Sequence, residues 1–132
     1  MILFVDDEPR ELDSYKLELE MSGYDLVFEP DVDNALQFLE ENQNEIKILI
    51  LDLMMPVGKA FENAPHEGMR TGMDFYDRIR KTLPSLPVII FTNVTDEQVE
   101  SKFGKETNCW FLRKANFLPY ELAEKVDSIL KG

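Results

Sequence analysis

Ile2-Leu3-Phe4-Val5-Asp6-Asp7-Glu8-Pro9 takes the chain from four apolar residues straight into three carboxylates and a proline. An apolar run this short reads as a strand, and the acidic residues with the proline read as the turn that stops it. Leu12, Tyr15 and Leu19 then recur at helical spacing up to Gly23. The unit reads as strand, acidic turn, helix. Its recurrence along the chain decides the fold.

Tyr24–Phe28 is a second strand closed by Pro30, and Ala35, Leu36 and Leu39 mark a helix with Asp31 or Asp33 as its N-cap. Ile46–Leu51 is almost continuously apolar and ends at Asp52. Phe75, Ile79 and Leu83 place a helix between Gly72 and Pro84. Pro87 opens Val88–Phe91, which ends at Thr92, and Thr95 with Gln98 forms a capping-box pattern for a short helix through about Phe103. Cys109–Leu112 is the fifth strand, ending at Lys114. The last helix carries Leu122, Val126, Ile129 and Leu130 on one face, with Pro119 in its first turn. Five such units predict an α/β fold: a doubly wound five-stranded parallel sheet with helices on both faces. Val57–Thr71 fits neither period and is expected to be a long loop before the third helix, either functional or mobile.

The 132 residues predict one domain over 1–132, long enough to bury a core without staples. With 26 acidic against 14 basic side chains the net charge is -12. Such a surface repels phosphate backbones and anionic headgroups, so neither direct nucleic-acid binding nor membrane binding is expected. No apolar run approaches the roughly 18–20 residues of a membrane span, and no signal-peptide pattern follows Met1, which together read as cytoplasmic. Cys109 is the single cysteine, which excludes an internal disulfide, and a small buried strand residue is the expected role.

Asp6 with Asp7, Asp52, Thr92 and Lys114 all stand where apolar strands end. In an open parallel α/β sheet the crevice beyond the carboxyl ends of the strands is where ligands bind, so side chains remote in sequence converge there. Three carboxylates in one crevice repel, at roughly 3 kcal/mol per pair for ~5 Å and an effective dielectric of ~20. Lys114 supplies one compensating charge. A divalent cation would supply the rest, and an all-oxygen donor set favours a hard ion such as Mg²⁺.

These residues carry a resemblance. Phe4-Val5-Asp6-Asp7-Glu8, Leu51-Asp52-Leu53-Met54-Met55-Pro56, Phe91-Thr92-Asn93 and Phe111-Leu112-Arg113-Lys114, in this order and with 45 residues from Asp7 to Asp52 and 22 from Thr92 to Lys114, resemble the response-regulator receiver domains of two-component signalling. The resemblance implies a flavodoxin-like strand order of 2-1-3-4-5. It implies that Asp52 accepts a phosphoryl group from a phosphohistidine on a histidine kinase or histidine phosphotransfer protein, and that Asp6, Asp7, Asp52 and the Met54 backbone carbonyl hold Mg²⁺. Lys114 and Thr92 would contact the phosphoryl oxygens, and Phe111 would be the switch aromatic. The fourth helix, fifth strand and last helix would then present a changed face to a downstream protein effector, with the chain a monomer or a phosphorylation-dependent dimer. Such a module is not an enzyme beyond slow autophosphatase chemistry.

Several residues depart from the family pattern. Ala115 stands where a proline, commonly cis, usually follows the lysine; because a cis non-proline bond costs ~3–4 kcal/mol, a trans bond, a displaced loop and a shorter reach for Lys114 are expected. Asn93 is larger than the small residue usual beside the threonine. Met54 and Val94 are apolar at positions that orient attacking water, which predicts slow self-dephosphorylation. His66, in the inserted loop, lacks the helical setting of a phosphotransfer histidine. Two other classes compete: a Mg²⁺-dependent aspartyl-phosphate phosphatase with Asp6 as nucleophile, disfavoured because Glu8 stands where a second aspartate is needed, and a phosphorylation-independent docking module.

Overall fold

The computed structural model describes residues 1–54 and 71–132. Among these, strands β1 (Ile2–Val5), β2 (Leu26–Glu29), β3 (Ile48–Leu51), β4 (Val88–Thr92) and β5 (Cys109–Arg113) alternate with helices α1 (Asp13–Met21), α2 (Val32–Glu41), α3 (Thr71–Thr82), α4 (Glu97–Gly104) and α5 (Pro119–Lys131). All strand pairs are parallel, in the order β2-β1-β3-β4-β5. The expected sheet and its order are both present.

Alternation along each strand divides the core in two. Leu3, Val5, Leu49, Leu51, Val88 and Ile90 pack with residues of α2, α3 and α4, including Leu39, Phe75 and Phe103. Ile2, Phe4, Ile48, Ile50, Ile89 and Phe91 pack on the other face with Leu19 of α1 and Leu122 and Val126 of α5. Each fully buried large side chain contributes about 1.5–3 kcal/mol of transfer free energy, so the apolar runs dictate a sheet covered on both sides. The split continues through β5: Cys109 and Phe111 face the α2–α3–α4 layer, Trp110 and Leu112 the α1–α5 layer.

Local boundaries differ from the sequence reading in a few places. Thr71, assigned to the long loop, opens α3 and is buried; the rest of the 57–71 segment, with His66, lies outside the described residues, as do Met55 and Pro56. α4 is capped by Asp96 rather than Thr95, the Asp96 carboxylate accepting from the amides of Gln98 and Val99 at 2.9 and 3.3 Å. A carboxylate one residue later outcompetes the hydroxyl because it also complements the helix dipole. Asp31 caps α2, accepting from Asn34 N at 2.8 Å. α1 is preceded by a 3-10 turn, Pro9–Leu12, and is followed by Gly23 at φ +96°, a left-handed stop that favours glycine.

At the amino-terminal edge of the sheet Arg80 of α3 closes two loops. Its guanidinium donates to Tyr76 Oη at 3.1 Å, to the carbonyls of Leu83, Pro84 and Leu86 at 3.0, 3.1 and 2.7 Å, and to that of Asn108 at 3.1 Å. A rigid fork with five N–H donors suits this task.

Candidate functional site

Strand register builds the opposite pole. Val5 lies opposite Leu51 across the β1–β3 ladder, and Asp52 N donates to Val5 O at 3.0 Å, so the next residues, Asp6 and Asp52, leave their strands side by side. Thr92 ends β4 opposite Arg113, one residue before Lys114. The four strand ends anticipated from the sequence therefore meet.

Asp6 is fully buried and Asp52 is 5% exposed. Lys114 Nζ reaches both, at 2.6 Å from Asp6 Oδ2 and 3.1 Å from Asp52 Oδ2. Asp6 Oδ1 accepts from Glu8 N at 2.9 Å, and Asp52 Oδ1 from Met54 N at 3.3 Å. Asp6 Oδ2, by contrast, has only the close ammonium charge and no aligned hydrogen bond, alone in this respect among the buried side-chain polar atoms of the described residues. One carboxylate oxygen each from Asp6, Asp7 and Asp52 lies within 4.8 Å of the others.

The electrostatics follow from this crowding. Burial pushes the Asp6 carboxyl above its ordinary range; the close Lys114 ammonium opposes the rise and the Asp52 charge adds to it. Asp7 is raised by burial and by the charges of Glu8 and Asp52. Burial alone would pull Lys114 down, but the close contact with Asp6 and the two carboxylate charges outweigh it and hold the ammonium above its ordinary value. One cation does not satisfy three carboxylates. A buried, under-coordinated oxygen among hard donors fits a divalent cation such as Mg²⁺.

No cis peptide bond occurs among the described residues, so Lys114–Ala115 is trans as expected. The shortened reach expected for Lys114 is corrected: residues 114–116 form a single 3-10 turn, and the long stem still carries Nζ into the pocket. Thr92 is fully buried, its Oγ1 accepting from Val94 N at 3.4 Å. Asn93 is exposed. Phe111 is half-buried and stacks on Phe103 of α4, with centroids 6.1 Å apart at 26°, while Phe103 meets Tyr76 of α3 edge-on at 5.1 Å. The neighbouring Arg113 donates from Nη2 and Nε to Glu100 of α4 at 2.5 and 2.8 Å.

Gly72 escaped the sequence reading. Its amide donates to Leu53 O at 3.0 Å, and a Cβ there would collide with the Asp52 carbonyl and Leu53 Cα. The signal available was a glycine in the first turn of a helix, where it is otherwise unfavourable. Close backbone approach explains it: α3 is seated directly against the backbone of Asp52.

The chain resembles a response regulator receiver domain protein from Clostridium thermocellum, with a TM-score of 0.76, 26% identity, and coverage of 98% of this chain and 93% of that one. It is 30% identical over 131 residues to the transcriptional regulatory protein CpxR of Escherichia coli, and 26% identical over 130 residues to the alkaline phosphatase synthesis transcriptional regulatory protein PhoP of Bacillus subtilis. Those alignments take in 98% of this chain but 49% and 48% of the two relatives, so the chain spans about half their length. The family model for the response regulator receiver domain matches residues 2–127, nearly the whole of the sheet and its helices. By its strand order, its acidic pocket and this match, the chain belongs to the response regulator receiver domain family.

Proposed function

We propose that this chain is a phosphorylation-controlled signalling module whose acceptor is Asp52. The observation that carries the reading is Lys114 Nζ within 3.1 Å of both Asp6 and Asp52, at a pocket that still leaves a buried Asp6 oxygen without a hydrogen bond. An Asp52 carboxylate oxygen attacks the phosphorus of a phosphohistidine on a histidine kinase or phosphotransfer protein. The P–O bond forms as the P–N bond breaks, the imidazole leaves with the electron pair, and an aspartyl phosphate remains.

Asp6, Asp7, Asp52 and the Met54 carbonyl would hold Mg²⁺, which supplies neutralising charge to the transferring phosphoryl group. Lys114 shares that role. Thr92 surrenders its contact with Val94 N to donate its hydroxyl to a phosphoryl oxygen, and Phe111 repacks against Phe103, changing the α4–β5–α5 face offered to a protein effector. Met54 and Val94 give water no polar guide, so the phosphate decays slowly. The acidic surface makes another protein, rather than nucleic acid or membrane, the partner of that face. The same reading makes the module cytoplasmic, and a monomer or phosphorylation-dependent dimer.

Incubation with acetyl phosphate and Mg²⁺ tests this. The wild type gains one phosphate on Asp52 and the Asp52→Asn variant gains none. Labelling of Asp6 would instead identify a phosphatase of the aspartyl-phosphate kind, and no Mg²⁺-dependent label would leave the phosphorylation-independent docking module.

A further inference from the structure

The turn that carries Lys114 is thinly anchored. It is closed by Phe117 N donating to Lys114 O at 3.3 Å, while Ala115 and Asn116 are exposed. Yet the ammonium at the end of a flexible four-carbon stem must stay within reach of two carboxylates, which a wandering backbone would not allow.

The anchor comes from the far end of the chain. Tyr15 of α1 donates its hydroxyl to Phe117 O at 2.5 Å. Among the described residues, no other side chain from outside the turn and α5 hydrogen-bonds the backbone of residues 115–117. The Tyr15 ring is fixed in turn, edge-on to Phe91 at 5.2 Å and 66°, and Phe91 immediately precedes Thr92. Burial raises the Tyr15 hydroxyl above its ordinary pKa against the pull of Lys114, so it remains a donor throughout the neutral range. Phe117 itself packs into the α1–α5 half of the core.

We infer that Tyr15 is a positioning residue for Lys114: by holding Phe117 O it sets the turn from which Lys114 reaches Asp6 and Asp52. Its relevance to phosphoryl transfer rests on the acceptor reading above; its effect on Lys114 does not. The hydroxyl takes over the turn-fixing task that the Ala115 side chain, a bare methyl, cannot perform.

Tyr15→Phe keeps the ring on Phe91 and deletes only the hydroxyl. Two readouts decide the matter in the full chain: the order of the Lys114 side chain by NMR relaxation at Cε, and the rate of Mg²⁺-dependent phosphate gain from acetyl phosphate in wild type, Tyr15→Phe, Lys114→Met and the double variant. The expected result is lower order at Lys114 Cε and phosphorylation about three- to tenfold slower, the size of one lost hydrogen bond, with no further slowing once Lys114 is methionine. Equal slowing in both backgrounds would mean general loosening and overturns the inference. So does unchanged order at Lys114 Cε, or lowered order with an unchanged rate. If wild type gains no phosphate, the acceptor reading fails separately, and the order at Lys114 Cε alone decides whether Tyr15 positions it.

Discussion

The two poles of the sheet solve opposite problems with one cation each. At the amino-terminal edge Arg80 meets a ring of neutral acceptors, and its donors and their carbonyls satisfy one another. At the carboxyl edge Lys114 faces Asp6 and Asp52, with Asp7 beside them, and leaves an Asp6 oxygen without an aligned bond. A saturated pole has nothing to gain from a ligand. The unsaturated one does, and the difference separates a clamp from a site.

The largest effect is expected from breaking the clamp. Arg80→Ala strands several loop carbonyls and should cost about 2–4 kcal/mol, read as a lower urea midpoint, while the phosphorylation rate per folded molecule is unchanged. Loss of phosphorylation in the folded fraction would show that the poles are not independent. Gly72→Ala attacks the other pole through its backbone. The added Cβ should destabilise by about 1–3 kcal/mol and also slow acceptance at Asp52, because α3 must back away from the strand end that holds it. A variant as unstable as this but with wild-type phosphorylation would refute that seating.

Smaller is the stabilisation by Mg²⁺ itself, about 1.4 kcal/mol at tenfold excess over Kd, seen as a higher Tm that EDTA reverses. Its pH dependence is specific. Because the folded values of Asp6 and Asp7 are raised, the metal-free protein is favoured when they are protonated, and it loses that contribution as pH rises through the raised values. Mg²⁺ needs the ionised forms. Its Tm increment should therefore grow with pH across that window and vanish on acidification below it; a flat increment would break the link. At the clamp the smallest effect is kinetic. Burial raises the Cys109 thiol, beside Tyr76, to about 11, so its alkylation should be slow at pH 8 and accelerate up to that value, whereas a plateau near pH 9 would mean an open pole.

Much of this was legible in the sequence for one reason: uninterrupted apolar strands announce where they stop, and the residues at the stops converge on the candidate site. Asp6, Asp52, Thr92 and Lys114 needed only the rule that parallel strands end together. What stayed hidden depends on cross-chain distance rather than local pattern. Gly72 and Arg80 look like ordinary residues of a helical segment until the strand and loops beside them are known. Thr95 and Asp96 present two adjacent caps, and only backbone geometry selects between them. Ile46 is buried in the core yet lies outside β3, so apolar continuity overstated the strand. The reach of Lys114 past Ala115 was underestimated because a missing proline was weighed and the 3-10 turn at residues 114–116, with the long lysine stem rising from it, was not.

Alternation within β5 has an optical consequence. Trp110, the only tryptophan of the chain, points into the α1–α5 layer, while its neighbour Phe111 points toward α4. The two rings share one strand backbone, so a shift of β5 that repacks Phe111 alters the surroundings of the indole on the opposite face. The protein thus carries a built-in fluorophore next to the aromatic proposed as its switch, and Trp110 emission is expected to change on phosphorylation, which a titration with acetyl phosphate and Mg²⁺ reads without a label.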